Sequence, residues 1–233
     1  MKLVKNARRR GRNYYKYSNV IRTETKSDFW ADRFEKSDKI LVIACGALAK
    51  EVTALIRINN WTHLQLRYLP AKLHNEPHKI TQNIRKNLIN AKNKFSQIFV
   101  GYADCGTGGQ LDTLLEEFGI QRLPGAHCYE FFSSTQDFNK LIKEEPGTFF
   151  LTDFLVKSFE KLIWQGLKIN SHPELLNTYF RHYKRLVYLA QTESMDLQIQ
   201  AKEIAKRLRL NYSYQFTGYG AISPALSNLT VTT

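Results

Sequence analysis

The sequence predicts an α/β fold: three similar βα units with parallel strands around a central crevice, or alternatively one doubly wound parallel sheet. Three observations carry this reading. Strand-length apolar runs recur at residues 40–43, 98–100 and 186–189. Each run leads into a short polar or glycine-rich loop. Each loop then opens a segment with apolar residues at helical spacing, followed by a second strand.

In the first unit the loop is Ala44-Cys45-Gly46-Ala47. Its helix carries Leu48, Val52, Leu55 and Ile56, and its second strand covers 64–69, ending near Pro70 and His74. The second unit has Asp104-Cys105-Gly106-Thr107-Gly108-Gly109, a helix with Leu111, Leu114, Leu115 and Phe118, and a strand from Gln121 that ends in Pro124-Gly125-Ala126-His127-Cys128. The third has Gln191-Thr192-Glu193-Ser194, a helix with Ile199, Ala201, Ile204, Ala205 and Leu208, and a strand over 211–216 before Gly218-Tyr219-Gly220. Linking helices are expected over 79–94, 151–164 and 173–183. The organisation that follows is a basic extension over 1–38, an α/β domain over 39–226 (units 39–95, 96–170 and 184–222) and a tail over 227–233.

The 233 residues carry a net charge of +13, unevenly spread. Residues 1–30 hold nine Lys or Arg against Glu24 and Asp28, a net +7. Such a stretch is expected to be solvated. Its Arg8, Arg9, Arg10 and Arg12, followed by Tyr14, Tyr15 and Tyr17, allow an RNA- or partner-binding reading. No folded nucleic-acid module follows them, so nucleic acid is not the favoured partner. No apolar run approaches the roughly 20 residues that span a bilayer, and no apolar segment follows the basic start as in a secretory leader. An odd count of three cysteines argues against a disulfide framework. Together these features predict a cytoplasmic protein of unknown oligomeric state.

In parallel α/β folds, functional groups gather beyond the carboxyl ends of the strands. All three cysteines fall at such ends. Cys45 and Cys105 are each followed at once by a glycine, at the start of a helix whose dipole favours the thiolate. Cys45, Cys105, His127 and Cys128 are therefore the candidate metal ligands, with only one of His127 and Cys128 expected to point inward. The metal would be Zn or Fe, or an iron–sulfur cluster. The separations of 60 and 23 residues match no short metal motif. Asp104, Glu130 and Glu193 are candidate acid–base groups. Gly46, Gly106, Gly108, Gly109, Gly218 and Gly220 are candidate cofactor-binding positions. His74 and His78 flank Glu76-Pro77, where the proline favours a turn, so they rank lower. The Gly106-Thr107-Gly108-Gly109 loop lacks the Lys-Ser/Thr of a phosphate loop.

The segments at 41–48 and 104–108, with Pro124-Gly125-Ala126-His127-Cys128-Tyr129-Glu130, resemble an uncharacterised family, domain of unknown function 1638, over about residues 39–226. The resemblance implies a place beside corrinoid-dependent methyl transfer from methylated amines, with a corrinoid methyltransferase as a partner. It supplies no catalytic residues. More distantly, the arrangement is similar to quinolinate synthase and the diphthamide-synthesis radical proteins, which hold a cluster with one cysteine per unit. This chain departs from that plan, having Thr192 and Glu193 where a third-unit cysteine would stand. The expected function is thus a metal-centred enzyme or accessory protein acting on a small molecule. The alternative is a metal-free small-molecule or cofactor-binding module.

Overall fold

The computed structural model describes residues 37–229. The basic stretch and its arginines and tyrosines lie outside the described residues. The chain forms two parallel sheets rather than one. The first has strand order β2-β1-β3-β4, built from β1 (Ser37–Cys45), β2 (Leu64–Leu69), β3 (Phe95–Gly101) and the two-residue β4 (Gln121–Arg122). The second has order β5-β6-β7, from β5 (Thr148–Thr152), β6 (Arg185–Ala190) and β7 (Asn211–Phe216). Every neighbouring pair is parallel.

Burial explains which strands are central. Residues 40–45 of β1 are all buried, as are residues 186–190 of β6. Continuous apolar runs of this kind suit strands covered by helices on both faces, whereas alternation marks a half-exposed strand. β7, an edge strand, exposes Asn211, Tyr214 and Phe216 and has no buried residue.

The crossovers are helical, as the alternating pattern predicts. α1 (Ala49–Ile58) joins β1 to β2, α2 (His78–Ala91) joins β2 to β3, and α3 (Gln110–Phe118) joins β3 to β4. α2 buries Ile80, Ile84, Leu88 and Ala91, one face at helical spacing. After α4 (Thr135–Glu144) comes β5, a strand the sequence pattern did not predict and whose last two residues fall within the helix expected over 151–164. The Thr148-Phe149-Phe150-Leu151-Thr152 run forms a strand and passes without a loop into α5 (Asp153–Phe159), where the Thr152 hydroxyl caps the amide of Leu155 at 3.3 Å. α5 continues as one π-helical turn, Glu160–Trp164. α6 (Leu175–Phe180) leads into β6, and α7 (Met195–Leu208) joins β6 to β7. α8 (Ile222–Ser227) returns to the first sheet, where Ile222 and Leu226 join its core.

The first two units therefore merge into one sheet, and the third pairs with β5 in another. In the first sheet the order 2-1-3-4 reverses direction between β1 and β3. Such a switch point opens a crevice beyond the carboxyl ends of those two strands. Those ends are where Cys45 and Cys105 lie.

Candidate metal centre

Each strand of the first sheet delivers one cysteine or histidine from its carboxyl end. Cys45 is the last residue of β1, and its Sγ accepts a hydrogen bond from the Ala47 amide at 3.4 Å. His74 lies on the 3-10 turn Ala71–Asn75 that follows β2. Cys105 follows β3, and Cys128 opens the 3-10 turn Cys128–Phe132 after β4. All three cysteines are free and buried.

The backbone brings the last two together. The Asp104 amide donates to the Gly125 carbonyl at 3.1 Å and the Cys105 amide to the Ala126 carbonyl at 2.8 Å. This lays the loop after β3 along the turn after β4. Cys105 itself is left-handed, with φ +48°. A side chain in that region costs about 1–3 kcal/mol and persists where the surroundings hold it. The result is a Cys105 Sγ to Cys128 Sγ distance of 3.0 Å. One ligating atom each from His74, Cys105 and Cys128 all lie within 4.8 Å of one another. Cys45 Sγ lies 3.6 Å from His74 Nδ1, which places it at the rim of the same group.

The electrostatics of this group are set by mutual proximity. Hydrogen bonding to Cys128 lowers the Cys105 thiol, and, against burial, the His74 ring lowers it further, to about 5. Burial pushes the His74 ring down, but bonds to Cys105 and Cys45 outweigh it and raise the ring to about 10. Cys45 is likewise held well below a thiol's ordinary value, first by Cys128, against burial, and then by His74. Cys128 moves the other way, raised by its bonds to Cys105 and Cys45 and by burial. Thiolates at Cys45 and Cys105 and a protonated His74 ring thus favour one another. Tyr102 is fully buried beside it; burial, then the charges of Cys45 and Cys128, raise its phenol, and its hydroxyl has no partner among the described residues.

Of the expected ligands, the structure gathers Cys45, Cys105 and Cys128. His127 stands outside the group. It is exposed, caps the turn that Cys128 opens and stacks on Tyr129, 6.4 Å between ring centroids. Its place is taken by His74. The signal for His74 was present in the sequence, since it too follows a strand end; Pro77 obscured it by marking a turn. The proline marks the start of α2 at His78, and His78 is not part of the group.

The acid–base candidates are committed elsewhere. Asp104 accepts from the Thr107 hydroxyl at 2.7 Å and from the amides of Gly106, Gly108 and Gly109. Burial opposes its ionisation, but the Thr107 hydroxyl and these amides outweigh that and lower its pKa. It organises the glycine loop. Glu130 Oε1 accepts from the amides of Ala126 (2.7 Å) and His127 (3.1 Å) and so holds the turn before Cys128. Glu193 is exposed and does not line the cavity beside the cluster.

Among the candidate glycines, Gly106 lines that cavity with φ +83°, and a Cβ there would press on Pro77. Gly46 backs onto the Leu69 carbonyl. Gly108 and Gly109 belong to the Asp104-bound loop. Gly218 and Gly220 lie away from the cavity, and Gly220 is pressed against the backbone of Phe131 and Phe132, leaving no room for a side chain.

The cavity has a volume of about 450 Å³ and opens between the carboxyl ends of the two sheets. Its inner end is formed by His74, Cys105 and Cys128, and its opposite wall includes Phe149, Phe150 and Phe154. Among the described residues no helix is long and apolar enough to cross a membrane. Comparisons with curated proteins and with solved structures found no match. The sequence model of one family, described as "Protein of unknown function (DUF1638)", matches residues 68–226, which include His74, Cys105 and Cys128. The chain belongs to that family.

Proposed function

We propose that this protein holds a single metal ion on His74, Cys105 and Cys128, with Cys45 beside them and the fourth position open to the adjoining cavity, and acts as an enzyme or accessory protein on a small molecule bound there. The observation that carries the reading is the convergence of three ligating atoms, from three different strand ends, within 4.8 Å of one another. Thiolates and a neutral imidazole suit Zn or Fe. Metal–sulfur bonds near 2.3 Å at a tetrahedral angle set sulfurs about 3.8 Å apart, so the 3.0 Å between Cys105 and Cys128 opens by a small side-chain rotation on binding. A cluster would spread its thiolates over separate metal atoms, and the tightness of this group favours one ion. A link to corrinoid-dependent methyl transfer rests on the family resemblance alone.

Metal analysis of anaerobically purified chain, with its visible spectrum, tests the proposal. About one equivalent of Zn or Fe is expected, and Cys105→Ser should lower it at least tenfold because a hydroxyl is a poor ligand for a soft metal. Wild-type chain that takes up no metal on reconstitution sinks the reading and leaves a metal-free binding module.

A further inference from the structure

The cavity beside the cluster is unusual for a protein of net charge +13: among the described residues, no Lys, Arg, Asp or Glu lines it. Its wall is aromatic instead. Tyr129 stacks against the His74 ring at 6.4 Å and 25°, and packs on Phe150 at 6.4 Å. Phe149 meets Tyr183 edge-on at 5.7 Å. The two threonine hydroxyls and the Asn75 amide nitrogen around it already have protein partners. Thr148 donates to the Glu145 carbonyl, Thr152 caps α5, and Asn75 donates to the Leu162 carbonyl. The polar groups left to recognise a ligand are the end formed by His74, Cys105 and Cys128, His127 at the exposed side, and the neutral hydroxyls of Tyr129 and Tyr183 on the aromatic wall.

We infer that the site takes an uncharged, largely apolar small molecule, whose body lies against the Phe149–Phe150–Tyr183 wall and which presents one soft donor, a thiol sulfur, to the Cys/His end. The choice of a soft donor rests on the metal reading above; the preference for a neutral body rests on the cavity. A volume of about 450 Å³ falls at the lower part of the roughly 300–1,000 Å³ common for small-molecule sites. A carboxylate or ammonium carried into this space would lose its hydration and meet no opposite charge. Aromatic faces attract cations, so a cationic ligand is the competitor that the test must separate.

The test is calorimetry on the full chain, zinc-loaded and metal-free, with three thiols of similar length and different charge: 1-propanethiol, 3-mercaptopropionate and cysteamine. Benzyl mercaptan is the fourth probe. The expected result is 1-propanethiol binding at least tenfold tighter than either charged thiol, and benzyl mercaptan tighter still. Tyr183→Ala, at a partly exposed position where folding is not at stake, should weaken benzyl mercaptan several-fold and leave zinc uptake unchanged. Cysteamine or 3-mercaptopropionate binding as tightly as 1-propanethiol overturns the inference, as does no binding of any thiol to either form. Zinc uptake without a charge preference would sink this inference and spare the metal centre. A charge preference in a chain that takes up no zinc would sink the metal centre and retain the apolar ligand class.

Discussion

The two sheets end in polar residues of opposite character. Beyond the first sheet stand Cys45, His74, Cys105 and Cys128, soft groups whose nearest polar partners are largely one another. Beyond the second stand Thr152, Asp153, Gln191 and Thr192, hard groups bonded to one another and to the nearby backbone. Asp153, buried beneath the carboxyl ends of β5 and β6, accepts from the Tyr188 hydroxyl (2.7 Å), the Gln191 amide (3.0 Å) and the Thr192 hydroxyl (2.5 Å). Its own amide donates to Gln191 Oε1 at 2.8 Å. One strand-end cluster is closed and structural. The other keeps coordinating capacity in reserve. Position beyond a parallel strand therefore marks where function can sit, and the balance of donors and acceptors decides whether it does.

The largest stability effect is expected from breaking the closed cluster. Asp153→Ala strands a buried tyrosine hydroxyl, an amide and a threonine hydroxyl, each worth about 1–3 kcal/mol when left unpaired. A loss of about 3 kcal/mol or more in urea unfolding is expected, with metal uptake by the folded fraction unchanged. A loss of metal from folded Asp153→Ala would show that the two clusters are not independent.

Cys105→Ser sharpens the contrast from the other side. It should remove most of the bound metal, while the metal-free variant loses only the roughly 1–3 kcal/mol of a buried hydroxyl. Wild-type metal content in a destabilised variant would return Cys105 to plain packing.

Much of this contrast could be read from residue order. The three cysteines, at the end of β1 and just beyond β3 and β4, follow from apolar runs that stop where the thiols begin. His74 ranked low because a nearby proline outweighed its strand-end position, although Pro77 only starts the next helix. β5 was hidden because Phe149, Phe150 and Leu151 are followed so closely by Phe154 and Leu155; Thr152-Asp153 is the sole break, and because it serves as a helix cap, strand and helix merge in a one-dimensional pattern. Two sheets instead of one are a matter of long-range pairing. β5 pairs with β6, and the 32 residues between them carry no marker of that partner. Asp104 and Glu130 were legible as acids near the site, but their commitment to backbone amides depends on loop geometry that spacing does not encode.

A smaller effect lies in the pH dependence of the metal-free chain. The Cys105 thiol falls from an ordinary 9.0 to about 5, so its contribution to stability is present above pH 9 and lost as pH falls through about 5. The His74 ring rises from 6.5 to about 10, so its contribution is present below pH 6.5 and lost as pH rises through about 10. Between about 6.5 and 9 the two slopes oppose. Cys45, also held low, adds to the thiolate slope, so stability should rise toward pH 9 and fall above it, by about 1.4 kcal/mol per pH unit for each net proton. Urea midpoints across pH 5–10 check this, and His74→Phe should lessen the alkaline fall, leaving the part that the raised Cys128 thiol contributes. Bound metal should flatten it too, because ligation requires the neutral imidazole.

The smallest effect tests whether the two ends behave as one body. Asn75, next to His74 on the first sheet's side, donates from Nδ2 to the Leu162 carbonyl on the second sheet's side at 2.7 Å. The contact is exposed to water, so its net worth is about 0.5–1.5 kcal/mol, toward the lower end. Asn75→Ala should cost no more than that in global stability. It leaves every ligating atom in place, so metal stoichiometry should hold at the wild-type value. What should change is the cavity, since Asn75 lines it and ties the His74 turn to the π-helical turn opposite. Affinity for benzyl mercaptan should drop a few-fold while affinity for zinc does not. An equal drop in both would mean that Asn75 positions His74 itself, and that the boundary between coordinating end and apolar wall runs one residue further along the turn.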